Sequence, residues 1–234
     1  MPVKSKKQPT MVGLSTRQMR RKPIGTEHLL DIKPLTPSQE KVFDAWQNNK
    51  HMFLFGAAGT GKSFVTMYLA LRDILDEKTP YNKLYIVRSL VPTREIGFLP
   101  GDHEDKANLY QIPYKNMVRF MFEMPDDPSF EMLYANLKAQ DTVSFWSTSF
   151  IRGTSIDNSI VLVDESENLN FHELDSIITR LGVNSKLSLQ EMLHRLTYRK
   201  HMRKLVSWTL RKLLMTWMNS RVLNLVLMTS LDLV

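Results

Sequence analysis

Short apolar runs recur through the middle of the chain, each bounded by polar or Gly/Pro turns and separated from the next by a stretch of helical period. The runs 51–55, 84–88 (LYIVR), 142–146 (TVSFW) and 160–164 (IVLVD) read as strands, the last buried on both faces. Between them, apolar positions at helical spacing predict helices at 61–77, about 104–122 and 128–139, with a last one in FHELDSIITRL. The globular pattern starts at Leu35. Thr36-Pro37-Ser38 reads as a helix start, with Ser38 or Thr36 as N-cap and Gln39–Gln47 helical. Alternation of this kind predicts an α/β fold, with a mostly parallel sheet between two helical layers.

The first strand opens directly into a glycine-rich loop. Residues 56–63 read GAAGTGKS, which fits G-x-x-x-x-G-K-[ST] in the strand–loop–helix setting that pattern needs. Gly56, Ala57, Ala58, Gly59, Thr60, Gly61, Lys62 and Ser63 are therefore candidate nucleotide-binding residues. The glycines let backbone N–H groups turn toward an anion, and Lys62 can reach the β- and γ-phosphates of ATP. The Ser63 hydroxyl suits Mg²⁺, and the helix that follows brings its positive end to the phosphates. An incidental lysine in a glycine-rich turn would not explain the flanking strand and helix. The expected fold sharpens to a P-loop NTPase, three-layer α/β/α.

Asp164 ends the apolar run 160–163 and is followed by Glu165. A carboxylate at the end of a central strand, beside the phosphate loop, is where a Mg²⁺-organising acid belongs, so Ser63 and Asp164 are the candidate metal ligands. Glu165 is placed to orient and deprotonate the attacking water. Gln39, in the turn before the first strand, has an amide that can accept from the adenine N6 amine and donate to N7. Arg88, Arg94 and Arg152 are candidate cations for the γ-phosphate, with Arg152 in SFIRGT the preferred one. The catalytic set is thus Lys62, Glu165 and Arg152. His172 reads as a surface histidine.

Charge and composition narrow the picture less than the net value of +7 suggests. Residues 1–30 hold seven Lys/Arg against one acid, and residues 187–234 hold eight against two, whereas 31–186 hold sixteen against twenty-one. The domain is mildly acidic, and any contact with RNA or DNA phosphates would rest on the two ends. Residues 1–30 read as a basic, disordered or loosely docked arm. Cysteine is absent, which excludes a disulfide framework, a Cys-based zinc site and a thiol nucleophile, and a reducing cytoplasm is compatible. No apolar run approaches the roughly 18 residues of a membrane span, so no membrane partner is expected.

The order of these motifs resembles one family. A glutamine motif, GAAGTGKS, then Glu95-Ile96-Gly97-Phe98-Leu99-Pro100-Gly101-Asp102, then Phe150-Ile151-Arg152-Gly153, then Val163-Asp164-Glu165 with Asn168, is similar to the PhoH family of P-loop ATPases. The GFLPGD element discriminates, and SFWSTSFIRG and FHELDSIITRLG look most like the versions carried by tailed bacteriophages. The resemblance covers about Leu35 to Lys186. It implies ATP hydrolysis with Mg²⁺ in the cytoplasm (the host's, for a phage protein), coupling to RNA or DNA, and a homo-oligomeric ring. Family members usually have Gln where this chain has Glu167. They also continue past the position of Lys186 with a strand and a Gly-Asp-x-x-Gln motif that senses the γ-phosphate.

That motif is absent here, and residues 187–234 contain no Gly, Pro, Ala, Ile or Phe. One encoding of Gln190–Arg199, read two nucleotides in, gives GDATQTDLQ, and Ser220–Asp232 permits a shifted reading close to SSEFGFNDFVRF. The expectation is therefore a P-loop domain over 31–186 that lacks its C-terminal strands, followed by an out-of-frame tail over 187–234. ATP binding without turnover, for want of the sensor, is the alternative function.

Overall fold

Thr36 caps the first helix, α1 (Pro37–Gln47): its hydroxyl accepts from the Gln39 N–H at 3.2 Å, and Pro37 takes the first helical position. The computed structural model describes residues 24–88, 103–122, 124–146, 153–192 and 225–229. After α1 come β1 (His51–Gly56), α2 (Lys62–Leu75), β2 (Lys83–Arg88), α3 (His103–Phe122) and α4 (Asp127–Ala139). Then follow β3 (Val143–Trp146), β4 (Ser159–Asp164), α5 (Phe171–Ile178), β5 (Lys186–Met192) and β6 (Leu225–Thr229). Every strand and helix expected up to residue 181 is present.

The described strands form one sheet in the order β3-β2-β4-β5-β1-β6, and every neighbouring pair is parallel. Alternate strand residues enter two cores, as the period of two requires. Met52, Leu54, Leu84, Ile86, Ile160 and Leu162 pack with α1, α2, α3 and α4 on one face. Phe53, Phe55, Tyr85, Val87, Val161, Val163, Leu187 and Leu189 pack with Leu174, Ile177 and Ile178 of α5 on the other. This is the three-layer α/β/α arrangement.

Two expectations are corrected. The sheet does not stop at β4: β5 lies between β4 and β1, with Leu187 opposite Val161 and Ser188 opposite Met52, and β6 pairs with the other side of β1. Residues 187–192 therefore belong to a central strand of the sheet. The physical reason is that Leu187 and Leu189 alternate correctly for one core, and both are fully buried. Within the stretch expected as an arm over 1–30, residues 24–30 lie against the domain. Ile24 is buried, the Leu30 N–H donates to the Met121 carbonyl at 2.8 Å, and the Ile32 N–H donates to Tyr68 Oη at 3.2 Å. Residues 1–23 lie outside the described ones.

The other face of β5 is polar, unusual for a strand in the middle of a parallel sheet. Lys186 is buried over the Trp46 ring at 4.3 Å and the Tyr81 ring at 5.0 Å, and its Nζ donates to the Trp46 carbonyl at 3.2 Å. It also pairs with Asp73 at 3.4 Å, and Asp73 accepts from Trp46 Nε1 at 2.7 Å. Burial holds the Lys186 pKa below the usual lysine range against the pull of Asp73. Gln190 Nε2 donates to Thr66 Oγ1 and to the Lys62 carbonyl. Ser188 Oγ and Gln190 Oε1 are buried without a partner among the described residues, each at a cost of roughly 1–3 kcal/mol.

Two buried groups, one on β1 and one on β5, titrate in opposite senses. His51 Nδ1 accepts from the Leu187 N–H at 3.0 Å, and burial, then the Lys186 charge, lower its pKa to about 4. Burial, then Glu167, raise Glu191 to about 7. For His51 the unfolded chain binds more protons between pH 4 and 6.5, so stability is complete above 6.5 and lost as pH falls toward 4. For Glu191 the folded chain binds more protons between pH 4.5 and 7, so stability is complete below 4.5 and lost as pH rises through 7. The two terms oppose each other over the shared range. Urea unfolding across pH should show Glu191→Gln stabilising the chain above pH 7 by up to about 3 kcal/mol, with no gain at pH 4. An equal effect at both pH values would show that the Glu191 carboxyl is not the titrating group.

Candidate nucleotide-binding site

The loop from β1 to α2 needs glycine at two places for its backbone. Gly59 has φ 79° and Gly61, the N-cap of α2, has φ 80°, both in the left-handed region. A Cβ on Gly59 would meet nothing within 4 Å, so the demand there is conformational rather than steric. Gly56 is buried at the end of β1, while Ala57, Ala58 and Gly59 are exposed at the loop's crest. Thr60 Oγ1 donates to the Ala57 carbonyl at 3.0 Å. Lys62 Nζ lies along the same loop and donates to the carbonyls of Gly56 at 3.0 Å and Ala57 at 2.8 Å, and to Thr60 Oγ1 at 3.3 Å. Burial lowers the Lys62 pKa, while Asp164 and Glu167 pull it the other way.

Asp164, at the end of β4, is two strands away from β1, with β5 between them. Its side chain nevertheless meets the start of α2, at the end of the β1–α2 loop. Ser63 Oγ donates to Asp164 Oδ1 at 3.1 Å, and Tyr114 Oη from α3 donates to Oδ2 at 2.7 Å. Burial and the neighbouring Asp164 raise the Tyr114 pKa, which keeps the phenol a proton donor. Among the described residues no three or more His, Cys, Asp or Glu gather as a metal cage. One hydroxyl and one carboxylate oxygen side by side instead fit Mg²⁺, which keeps several waters and takes further oxygens from substrate phosphates.

Glu165 stands next to them with φ 49° and ψ 48°, a left-handed conformation that costs a non-glycine residue roughly 1–3 kcal/mol. The surroundings determine it from several sides. Its N–H donates to Asp164 Oδ1 at 3.0 Å, Asn168 Nδ2 donates to its Oε2 at 3.2 Å, and Arg88 grips both carboxylate oxygens. Just beyond, Glu167 Oε2 accepts from the Met192 N–H at 3.1 Å, tying the turn after β4 to the end of β5.

The remaining sequence candidates divide. Gln39 is half-buried against the loop: its Oε1 accepts from the Leu35 N–H at 2.7 Å, and its Nε2 would lie 3.5 Å from a Cβ on Gly61. Arg88 is brought into the site, paired with Glu165. Arg94 and Arg152 lie outside the described residues, and His172 is exposed on α5. Sequence reasoning missed Tyr114, which sits fifty positions from Asp164 and carries no local signal beyond a helical apolar stripe. It also missed Gln190, whose amide braces the first turn of α2.

A family model described as "PhoH-like protein" matches residues 31–232. The chain belongs to the PhoH-like family. That match crosses residue 187, so the family relation extends beyond the point at which sequence reading ended it. This PhoH-like chain is 28% identical over 174 residues to Protein PhoH2 of Bacillus subtilis (strain 168), covering 73% of this chain and 38% of that protein. It is 29% identical over 157 residues to a PhoH-like protein of Synechocystis sp. (strain ATCC 27184 / PCC 6803 / Kazusa), covering 67% and 45%. The chain thus spans less than half the length of these relatives. Among solved structures, the large terminase of a thermophilic bacteriophage, in complex with ADP, aligns at TM-score 0.46 and 12% identity, over 84% of this chain and 45% of that one. The Hef helicase domain of Pyrococcus furiosus aligns at TM-score 0.45 and 13% identity, over 83% and 38%. No helix among the described residues is long and apolar enough to cross a membrane.

Proposed function

We propose that this PhoH-like chain binds ATP with Mg²⁺ and hydrolyses it. The observation that carries the reading is the 3.1 Å contact between Ser63 and Asp164, which joins the phosphate loop to the acidic strand end. In this reading the N–H groups of residues 56–63 and the N-terminus of α2 hold the phosphates, and Lys62 turns from its loop carbonyls to the β/γ oxygens. Ser63 and Asp164 hold Mg²⁺, which when bound neutralises charge on the phosphates. Glu165 orients and deprotonates the water. Gln39, against Gly61, reads the adenine edge, and Arg152 adds a cation at the γ-phosphate. Coupling to RNA or DNA and a homo-oligomeric ring in the cytoplasm extend this reading; the basic residues of 1–30 and 187–234 are the features of this chain that suit nucleic-acid phosphates.

Phosphate release from the purified chain, measured with ATP and GTP at varied Mg²⁺, tests the proposal. Release should require Mg²⁺, favour ATP and fall at least about 100-fold in Asp164→Asn. Release that ignores Mg²⁺ or survives that substitution would sink it.

A second reading, ATP binding without turnover, is favoured by β5. Its end, Gln190-Glu191-Met192, stands where the family's γ-phosphate-sensing motif is expected, and it buries a partnerless Ser188 Oγ, a partnerless Gln190 Oε1 and the Glu191 carboxyl. Polar groups of this kind inside a central strand suit a change of reading frame near codon 187. ATP binding with no phosphate release, restored in a frame-corrected chain carrying Gly-Asp-x-x-Gln, would decide for it.

A further inference from the structure

We infer that Arg88, the last residue of β2, is the positioning residue for Glu165: its guanidinium holds the carboxylate that orients the water. The water's part in this rests on the ATPase reading; the clamp rests on geometry. Arg88 and Asp164 are direct partners in the β2–β4 register, so the arginine leaves the sheet beside the acidic strand end. From there Nε donates to Glu165 Oε2 at 3.1 Å, and an Nη donates to Oε1. This is the two-point arrangement that a planar guanidinium makes with a carboxylate and an ammonium cannot. The guanidinium is itself seated over the Tyr110 ring at 5.3 Å, so α3 supports the clamp from the far side.

The carboxylate needs such a hold. Glu165 sits in a left-handed conformation that L side chains rarely adopt, and its own backbone does not favour that pose. With both oxygens fixed by one rigid fork and Oε2 shared with Asn168, the carboxylate has a single orientation relative to Asp164 and the loop. Arg88 is thereby assigned a role distinct from a γ-phosphate ligand: it acts through Glu165. Water orientation is sensitive to misplacement of this kind, where about 1 Å can cost about 100-fold in rate.

The test uses the full chain and four variants: Arg88→Met, Arg88→Lys, Glu165→Gln and the Arg88→Met/Glu165→Gln pair. Steady-state phosphate release, affinity for ATP and ADP, and thermal unfolding are measured on each. Arg88→Met should lower kcat by about 10- to 100-fold with ATP affinity within about threefold, and Arg88→Lys should recover only part of it. The pair should turn over no more slowly than Glu165→Gln alone, and its unfolding midpoint should fall by less than the two single losses combined. Weaker ATP affinity with unchanged ADP affinity, persisting beside Glu165→Gln, would overturn the inference in favour of a direct phosphate contact. Additive unfolding losses would overturn the clamp itself. If the unaltered chain binds ATP and releases no phosphate, the ATPase reading fails while the unfolding comparison still decides whether Arg88 holds Glu165.

Discussion

Lys62→Ala should weaken ATP binding by at least about 100-fold. The ammonium contributes charge-assisted hydrogen bonds worth roughly 1.5–3 kcal/mol each, and losing two to the phosphates is sufficient. The folded chain already shows what the side chain needs. Lys62 Nζ satisfies itself on the carbonyls of Gly56 and Ala57 and on Thr60 Oγ1, all in the loop that would wrap the phosphates. Phosphate oxygens must therefore compete with those neutral acceptors, and their charge makes them the better partners. Alanine also removes the lysine's bracing of the loop, so the unfolding midpoint should be measured alongside fluorescent-nucleotide titration. Affinity that falls with the midpoint unchanged identifies a phosphate ligand. Affinity within about threefold of the unaltered chain would remove Lys62 from the site.

The second large effect is expected at Glu165. Glutamine there keeps the side chain's size and one oxygen for Arg88, yet it cannot take the proton of an attacking water. Turnover should fall by about 100- to 10,000-fold, the usual worth of a positioned general base, with ATP affinity held within a few-fold. That separation of kcat from binding is the signature to seek. It distinguishes Glu165 from Asp164, whose loss should weaken both Mg²⁺ dependence and turnover because it shares an oxygen pair with Ser63. Comparable loss of affinity in Glu165→Gln would mean the residue supports the loop rather than the reaction.

Much of the scaffold was legible because its signals are local. The loop GAAGTGKS, the cap at Thr36 and the run 160–164 each state their conformation in a few neighbouring residues, and the structure has all three as elements or caps. The end of the sheet was less legible. KLSLQEM has two leucines at strand period beside Lys, Ser, Gln and Glu, a pattern that reads as surface or tail. It becomes a central strand because β1 and β4 leave a gap of one strand between them, and long-range pairing on both sides outweighs its poor local composition. Lys186 illustrates the accommodation: an ammonium that by itself belongs in water is buried between two rings and Asp73.

By itself, then, the sequence determined the α/β alternation, the glycine-rich turn from strand to helix and the acidic end of β4, since each depends on spacing within one element or one turn. Tertiary structure alone decided which distant groups meet. It placed β5 between β4 and β1 and so set the loop and Asp164 at the right separation for Ser63 to bridge them. It also delivered Tyr114 to Asp164 and Arg88 to Glu165 across fifty and seventy-seven positions of sequence. Side chains so far apart share no local pattern. Only the folded sheet and the helix laid over it bring their charges and hydroxyls within hydrogen-bonding reach.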